Sequence, residues 1–219
     1  MNDIKRYIDN DLKPLALQDL VIYAQNISRN YKFSHIPVVE NGVFMGTLLA
    51  EDIEEAEANQ KIIDFSYTLE PFFVLNTTNW FEVLQKFSKH DANLVPVLNQ
   101  NNQYIGYYNL MDLVKVFTES PFLSEEGNTI IVEKIQTALS FSEISQIVES
   151  NNAKLLGLFI NNINDNIVQV TVKTTPTDIN AVLRTFRRYD YDIVSEHMDD
   201  AYINNLKNRS DYLDKYLNI

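Results

Sequence analysis

The chain contains no cysteine. Disulfides, thiolate metal sites, iron–sulfur clusters and a cysteine nucleophile are therefore excluded together. Glycine is scarce, with five in 219 residues, and none is grouped as a phosphate-binding loop or a dinucleotide fingerprint requires. The three histidines, His35, His90 and His197, have no second ligand at metal-binding spacing, and no Gly-x-Ser-x-Gly elbow occurs. No catalytic constellation is visible, and the chain is not expected to be an enzyme or to hold a metal. Basic residues are also few, 18 against 30 acidic, for a formal charge of −12. Such a chain repels phosphate backbones, so nucleic acid is not an expected partner. No apolar run approaches the roughly 18 to 20 residues of a membrane span. The opening Met1-Asn2-Asp3-Ile4-Lys5-Arg6 has no apolar h-region. The expectation is a soluble cytoplasmic protein with no membrane partner, which the lack of cysteine fits.

What is present is core and repetition. Hydrophobic residues make up 45% of the chain and aromatics 11%, enough to fill a packed interior. Ile36-Pro37-Val38-Val39 returns as Val95-Pro96-Val97-Leu98, with the prolines 59 residues apart. Each copy then reaches a Gly followed six residues on by an Asp: Gly46 with Asp52, Gly106 with Asp112. Repetition at this period means that one supersecondary unit was built twice and packs on itself. The cleft between the copies is the first place to look for a ligand.

The copies read alike along their length. Leu12-Lys13-Pro14 opens the first, and Leu17, Leu20, Val21 and Ala24 form the stripe of an amphipathic helix. Leu69-Glu70-Pro71 opens the second, with the stripe Trp80, Val83, Leu84 and Phe87 behind an N-cap at Thr78 or Asn79. From helix start to motif proline is 20 residues in the first copy and 16 in the second, about one helical turn of difference. Glu40-Asn41-Gly42 and Asn99-Gln100-Asn101-Asn102 are hairpin signals. Strands Val43 to Leu49 and Tyr104 to Tyr108 follow, then helices near Glu51-Asp52 and Met111-Asp112. Each unit is β-α-β-β-α.

Near Ser120-Pro121 to Gly127 the character changes. Ile130 to Ile135 reads as a strand, and Ser140 with Glu143 as a capping box opening a helix. Leu155 to Ile160 reads as a strand, Asn161 to Asn166 as a turn, and Ile167 to Lys173 as a strand wet on one face. Pro176-Thr177 starts a helix striped by Ile179, Val182, Leu183 and Phe186, and Tyr191 to Glu196 closes as a strand. This order, βαββαβ, is the ferredoxin-like split-βαβ pattern. The tail is helical by Ile203, Leu206, Leu213 and Leu217, either as a docking helix or as a subunit contact.

Ser34-His35-Ile36-Pro37-Val38-Val39-Glu40-Asn41-Gly42 with Met45-Gly46-Thr47 resembles the core of a cystathionine-β-synthase (CBS) domain. Asn93-Leu94-Val95-Pro96-Val97-Leu98 with Ile105-Gly106-Tyr107-Tyr108 resembles the second member of a pair. Residues 128–197 resemble an ACT domain, and the whole is similar to acetoin-utilisation-type regulatory proteins. The fold expected is mixed α+β: a CBS repeat over 1–60, a second over 61–122, an ACT-like domain over 128–197 and a C-terminal helix over 198–219.

The resemblance implies a homodimer through the CBS modules, an unknown client protein, and an adenine nucleotide (AMP, ADP, ATP or another adenosyl ligand) as the only cofactor-like molecule. It implies a Ser or Thr three residues after the strand Gly and an Asp six after it. The Asp is present twice, as Asp52 and Asp112, while the hydroxyl position holds Leu49 and Asn109. A carboxylate can accept from both ribose hydroxyls, and Asn109 can donate through its amide where Leu49 cannot. An Asp at a helix start also stabilises the helix with no ligand present. Ile36, Pro37, Val95 and Pro96 would shape the cleft, and Lys89 and His90 would meet phosphates or lie in a solvated loop. The ACT-like loop Gln136-Thr137-Ala138-Leu139-Ser140 lacks the Asp, Pro and Gly of an amino-acid site, so that part would bind an amino acid or only dimerise. Two functions follow: a regulatory module sensing an adenine nucleotide, or an interaction dimer with ligand-free clefts.

Overall fold

The computed structural model describes residues 4–195, which fall into two units, one ending at Glu119 and the next beginning at Ser120. The predicted C-terminal helix lies outside the described residues.

In the first unit, α1 (Val21–Tyr31) precedes the hairpin β1 (His35–Glu40) and β2 (Val43–Leu49). After the two-residue strand β3 (Val74–Leu75), α2 (Trp80–His90) precedes the hairpin β4 (Leu94–Leu98) and β5 (Tyr104–Asn109), and α3 (Leu110–Thr118) closes the unit. The two helices that open the repeats are both 11 residues long. Each ends in a left-handed residue at the equivalent place, Lys32 with φ 59° and Asp91 with φ 48°. The expected one-turn difference between copies is corrected: Val21 stands as far before Pro37 as Trp80 does before Pro96.

Leu17 and Leu20 are apolar at helical spacing but precede the helix. Asp19 Oδ2 accepts from the Ala16 N–H at 2.8 Å, turning the chain there. The carbonyls of Leu17 and Asp19 accept from the N–H groups of Ile63 and Ile62. Leu17 and Leu20, both half-buried in a turn, thus fall at helical spacing without a helix.

The sheet registers repeat. Val38 faces Gly46 and Val97 faces Gly106, with a bulge after each. Parallel pairing of Leu15 with Val38 matches that of Val74 with Val97. Two further bridges carry a lead-in to the opposite copy: Glu70, at the opening of the second repeat, pairs with Thr47 of the first, and Asp9, ahead of the first, pairs with Tyr107 of the second. Each sheet is therefore completed by the lead-in of the other copy, so the two halves close on each other.

This exchange explains the glycines. Gly46 and Gly106 hold φ 144° and 147°. A Cβ on Gly106 would strike the Asp9 carbonyl and come within 2.8 Å of Ile8 Cγ2, and one on Gly46 would lie 2.9 Å from Leu69 Cβ.

The repeats differ where the sequence differs. Asn109 Oδ1 caps α3 by accepting from Met111 N–H at 2.9 Å. At the matching place in the first copy Leu49 offers no cap. There the expected second helix is only a 3₁₀ turn, Ala50–Ile53. Glu51, Asp52, Glu54, Glu55 and Glu57 crowd like charges into what would be its first turns, with no cation among them.

The second unit begins with a single turn, α4 (Pro121–Ser124), and continues as β6 (Asn128–Ile135), α5 (Phe141–Ser150), β7 (Leu155–Asn164), β8 (Ile167–Thr174), α6 (Ile179–Arg188) and β9 (Asp192–Ile193). Its sheet runs β7-β8-β6-β9 with all neighbours antiparallel, the expected ferredoxin-like arrangement. Ile130, Val132, Val168, Val170 and Val172 face Ile144, Ile147, Val182, Leu183 and Phe186 of α5 and α6 in one core. Each such side chain contributes about 1.5–3 kcal/mol by leaving water. The predicted turn over Asn161–Asn166 is corrected to Asp165-Asn166 alone, both left-handed, at φ 46° and 67°. Asn161 stays in β7 because a bulge turns its side chain to Gln169 and Thr171.

Candidate functional site

The seam between the repeats is built around two positions that the period makes equivalent. Ser34 N–H donates to Asn93 Oδ1 at 2.9 Å, and Asn93 N–H donates to Ser34 Oγ at 3.1 Å. Ser34 Oγ–H also donates to Asn93 Oδ1, and Asn93 Nδ2 to the Lys32 carbonyl at 2.7 Å. These bonds fasten the start of β1 to the start of β4.

On one side of this clasp the seam is filled. Glu70 takes His90 Nδ1 at 3.2 Å and faces His35 Nε2 at 3.9 Å. Phe72 stacks on His90 with ring centroids 4.0 Å apart and meets His35 edge-on at 5.2 Å. Phe72 is 3% exposed and His35 1%. Because Ser34 Oγ gives its proton to Asn93, it accepts from His35 Nδ1–H at 2.9 Å. The remaining lone pair, Nε2, is buried with no hydrogen-bond partner. Burial holds the His35 pKa below the usual imidazole value, against the opposing pull of Glu70.

On the other side, Tyr107 O–H donates to Asp11 Oδ1 at 2.6 Å, and Phe33 packs edge-on to Tyr107 at 5.5 Å and stacks on Tyr31 at 5.7 Å. Burial, and then the bond to Asp11, push the Tyr107 pKa upward. This phenol is a fixed donor.

The predicted site residues divide among these places. Asp112 sits in the first turn of α3 with its side chain 29% exposed, and Lys115 Nζ donates to Asp112 Oδ1 at 2.7 Å. That bond raises the Lys115 pKa. Asp112 Oδ2 makes no hydrogen bond among the described residues. Asn109, one turn earlier, spends its oxygen on the helix cap and keeps its amide N–H₂. Asp52 is exposed on the 3₁₀ turn. Ile36 and Val95 are fully buried in the cores of their own repeats. Pro37 and Pro96 are buried within the strands, opposite Thr47 and Tyr107. The expected solvated loop at Lys89 and His90 is corrected to the last turn of α2. Their side chains part there: His90 turns to Glu70, while Lys89 lines a cleft with Phe73, Thr78, Glu82 and Lys86.

Glu70, Phe72, Ser34 and Asn93 went unselected in the sequence. The signal available for the last two was a polar residue at the same repeat position, one or two places before each apolar strand. Among the described residues no group of three or more His, Asp or Glu is placed to hold a metal ion. Among them, too, no helix is long and apolar enough to cross a membrane.

A search of curated proteins finds no match. Several solved structures are similar. One is a CBS domain pair/ACT domain protein from Thermotoga maritima, at 21% identity over 53% of this chain and 97% of that one, with a TM-score of 0.48. Another is the CBS domains of a transcriptional regulator from Streptococcus pneumoniae, at 20% identity over 52% and 97%, with a TM-score of 0.45. A third is CBSX2 in complex with AMP, at 14% identity over 53% and 96%, with a TM-score of 0.45. Residues 64–119, which hold the whole second repeat from β3 through α3, match the family model of the CBS domain.

Proposed function

We propose that this chain is a non-catalytic regulatory protein of the cytoplasm in which an adenine nucleotide binds beside Asn109 and Asp112. The nucleotide would bias the geometry of a homodimer formed through the repeats, and a client protein would read that geometry. The ferredoxin-like unit would relay the state or add a second input, as an ACT domain does. The observation that carries the reading is Asp112: a part-exposed carboxylate in a helix first turn, with Oδ2 unbonded among the described residues and a cation 2.7 Å from Oδ1. A ribose diol can take Oδ2 while phosphate takes Lys115, the Asn109 amide N–H₂ and the positive end of the α3 dipole. Asn109 and Asp112 both lie within residues 64–119, which match the CBS domain model. A ligand moves the dimer only by its differential affinity for two geometries, typically about 1–3 kcal/mol.

The test is a thermal-shift panel of AMP, ADP, ATP, NAD and S-adenosylmethionine. At about 100-fold excess over Kd a binder adds about 2.7 kcal/mol of stability. Asp112→Ala should abolish the shift and Asp52→Ala should leave it. A panel without any shift ends the nucleotide reading.

A second reading, an interaction dimer with ligand-free clefts, draws on the filled side of the seam, where Phe72, His90 and His35 occupy the space beside Glu70. It predicts a dimer in sedimentation equilibrium with no response to any member of the panel.

A further inference from the structure

The repeats are superposable in register but unequal in one place, and the inequality leaves a cleft. Where the second repeat has α3, the first has the 3₁₀ turn Ala50–Ile53. Between that turn and α1 lies a cleft of about 340 Å³, within the size of small-molecule sites. Gln25 braces its floor: 7% exposed, it donates through Nε2 to the carbonyls of Ile53 and Ala56 at 2.9 and 3.1 Å. The α1 wall carries Ser28, Arg29 and Lys32, and the 3₁₀ wall carries Glu51 and Glu54.

Four of these lining positions are apolar in the second copy. Leu84 and Phe87 answer to Gln25 and Ser28, and Met111 and Val114 answer to Glu51 and Glu54. Phe87 lies in the core of the second repeat with Leu113 and Val116. Arg29 and Lys32 in turn stand where the second copy has Ser88 and Asp91, so a lining with cations on one wall and carboxylates on the other belongs to the first copy alone. The charges are also unspent. None of Arg29, Lys32, Glu51 and Glu54 joins an ion pair among the described residues, although cations line one wall and carboxylates the other. Opposite charges on facing walls that do not reach each other fit a molecule carrying both signs at its own two ends.

We propose that this cleft is a binding site for a small zwitterion of the free α-amino-acid type, its carboxylate on Arg29 and Lys32 and its ammonium on Glu51 and Glu54. The site is separate from Asp112, so it stands or falls apart from the nucleotide.

The experiment is an amide NMR titration of the full chain with each of the common L-amino acids. At least one should give saturable shifts centred on Ser28 to Ser34 and Ala50 to Glu54. N-acetylation or amidation of that amino acid should remove them. Arg29→Gln and Glu54→Gln should each weaken binding at least about tenfold, the scale of one charge-assisted hydrogen bond. Ser28→Phe, which restores the side chain of the second copy, should abolish binding while the spectrum stays folded. No saturable shift with any amino acid overturns the proposal. So does binding of acetate or inorganic phosphate as tight as that of the zwitterion, or binding that survives Glu54→Gln.

Discussion

Ser34 and Asn93 stand 59 residues apart, at the same place in each repeat, and bond to each other reciprocally, main chain of each to side chain of the other. A pair related by the internal repeat can meet itself only on the pseudo-twofold axis, so these two residues mark where that axis passes. Mutual bonding there ties the strand starts of both halves and makes the seam a single structure.

Coupling across that pair is measurable. Removing a hydrogen-bond partner and leaving part-buried groups unmatched costs about 1–3 kcal/mol. Asn93→Ala should fall in the upper part of that range, because Asn93 also holds the Lys32 carbonyl. Ser34→Ala should cost about 1 kcal/mol. Denaturant unfolding of the double variant should show a coupling of about 0.5 kcal/mol or more; strict additivity would remove the clasp.

The lead-in exchange makes a prediction about Gly106. Alanine there meets the Asp9 backbone and demands a strained φ, whereas Gly42, at φ 80°, has nothing within 4 Å of a Cβ. Gly42→Ala should cost about 1 kcal/mol. Gly106→Ala should cost more, because Asp9 must move off the sheet edge, and exchange of the Asp9 and Tyr107 amides should quicken. Equal costs for the two would mean that the lead-in is not held closely.

His35 gives stability a pH dependence of known sign. Its folded pKa lies below the ordinary imidazole value because burial disfavours the charge. The unfolded chain therefore binds the proton more readily, and stability is complete above the unfolded value near 6.5. It falls as pH drops through that value toward the folded one. The charges of Glu70, Asp91 and Asp52 favour the protonated ring and that of His90 opposes it, all less than burial does. His35→Leu, which copies Leu94 of the second repeat, should flatten the thermal-midpoint profile between about pH 7 and pH 5. An unchanged slope would assign the dependence elsewhere.

Asn109 separates capping from ligand contact. Asn109→Ala removes the bond to Met111 N–H and should cost about 1 kcal/mol. Asn109→Ser restores a cap, so circular dichroism melts should place it near the parent. If Asn109→Ser keeps the nucleotide shift, the residue serves the helix; if the shift falls while stability holds, its amide serves the ligand.

The period of 59 residues, the Asn-Gly and Asn-rich hairpins, the two Gly–Asp spacings and the βαββαβ order of the second unit were legible in the chain, because each depends on local backbone chemistry. Leu17 and Leu20 misled because helical spacing of apolar residues does not require a helix: a turn held by Asp19 and bonded to Ile62 and Ile63 carries them. The missing second helix of the first repeat was half legible, in the uncapped Leu49 and the run of carboxylates after it.

By itself the sequence determined the duplication, the hairpins within each copy, and the run of carboxylates that follows Leu49 in the first copy alone. Those follow from side-chain period, turn chemistry and capping, which act over a few residues. Only the tertiary structure decided that each lead-in completes the other copy's sheet, that Glu70 and Phe72 fill one side of the seam with His35 and His90, and that Arg29 and Lys32 face Glu51 and Glu54 across a gap. Those are meetings between residues distant in the chain, and no local preference specifies which remote partner a side chain will find.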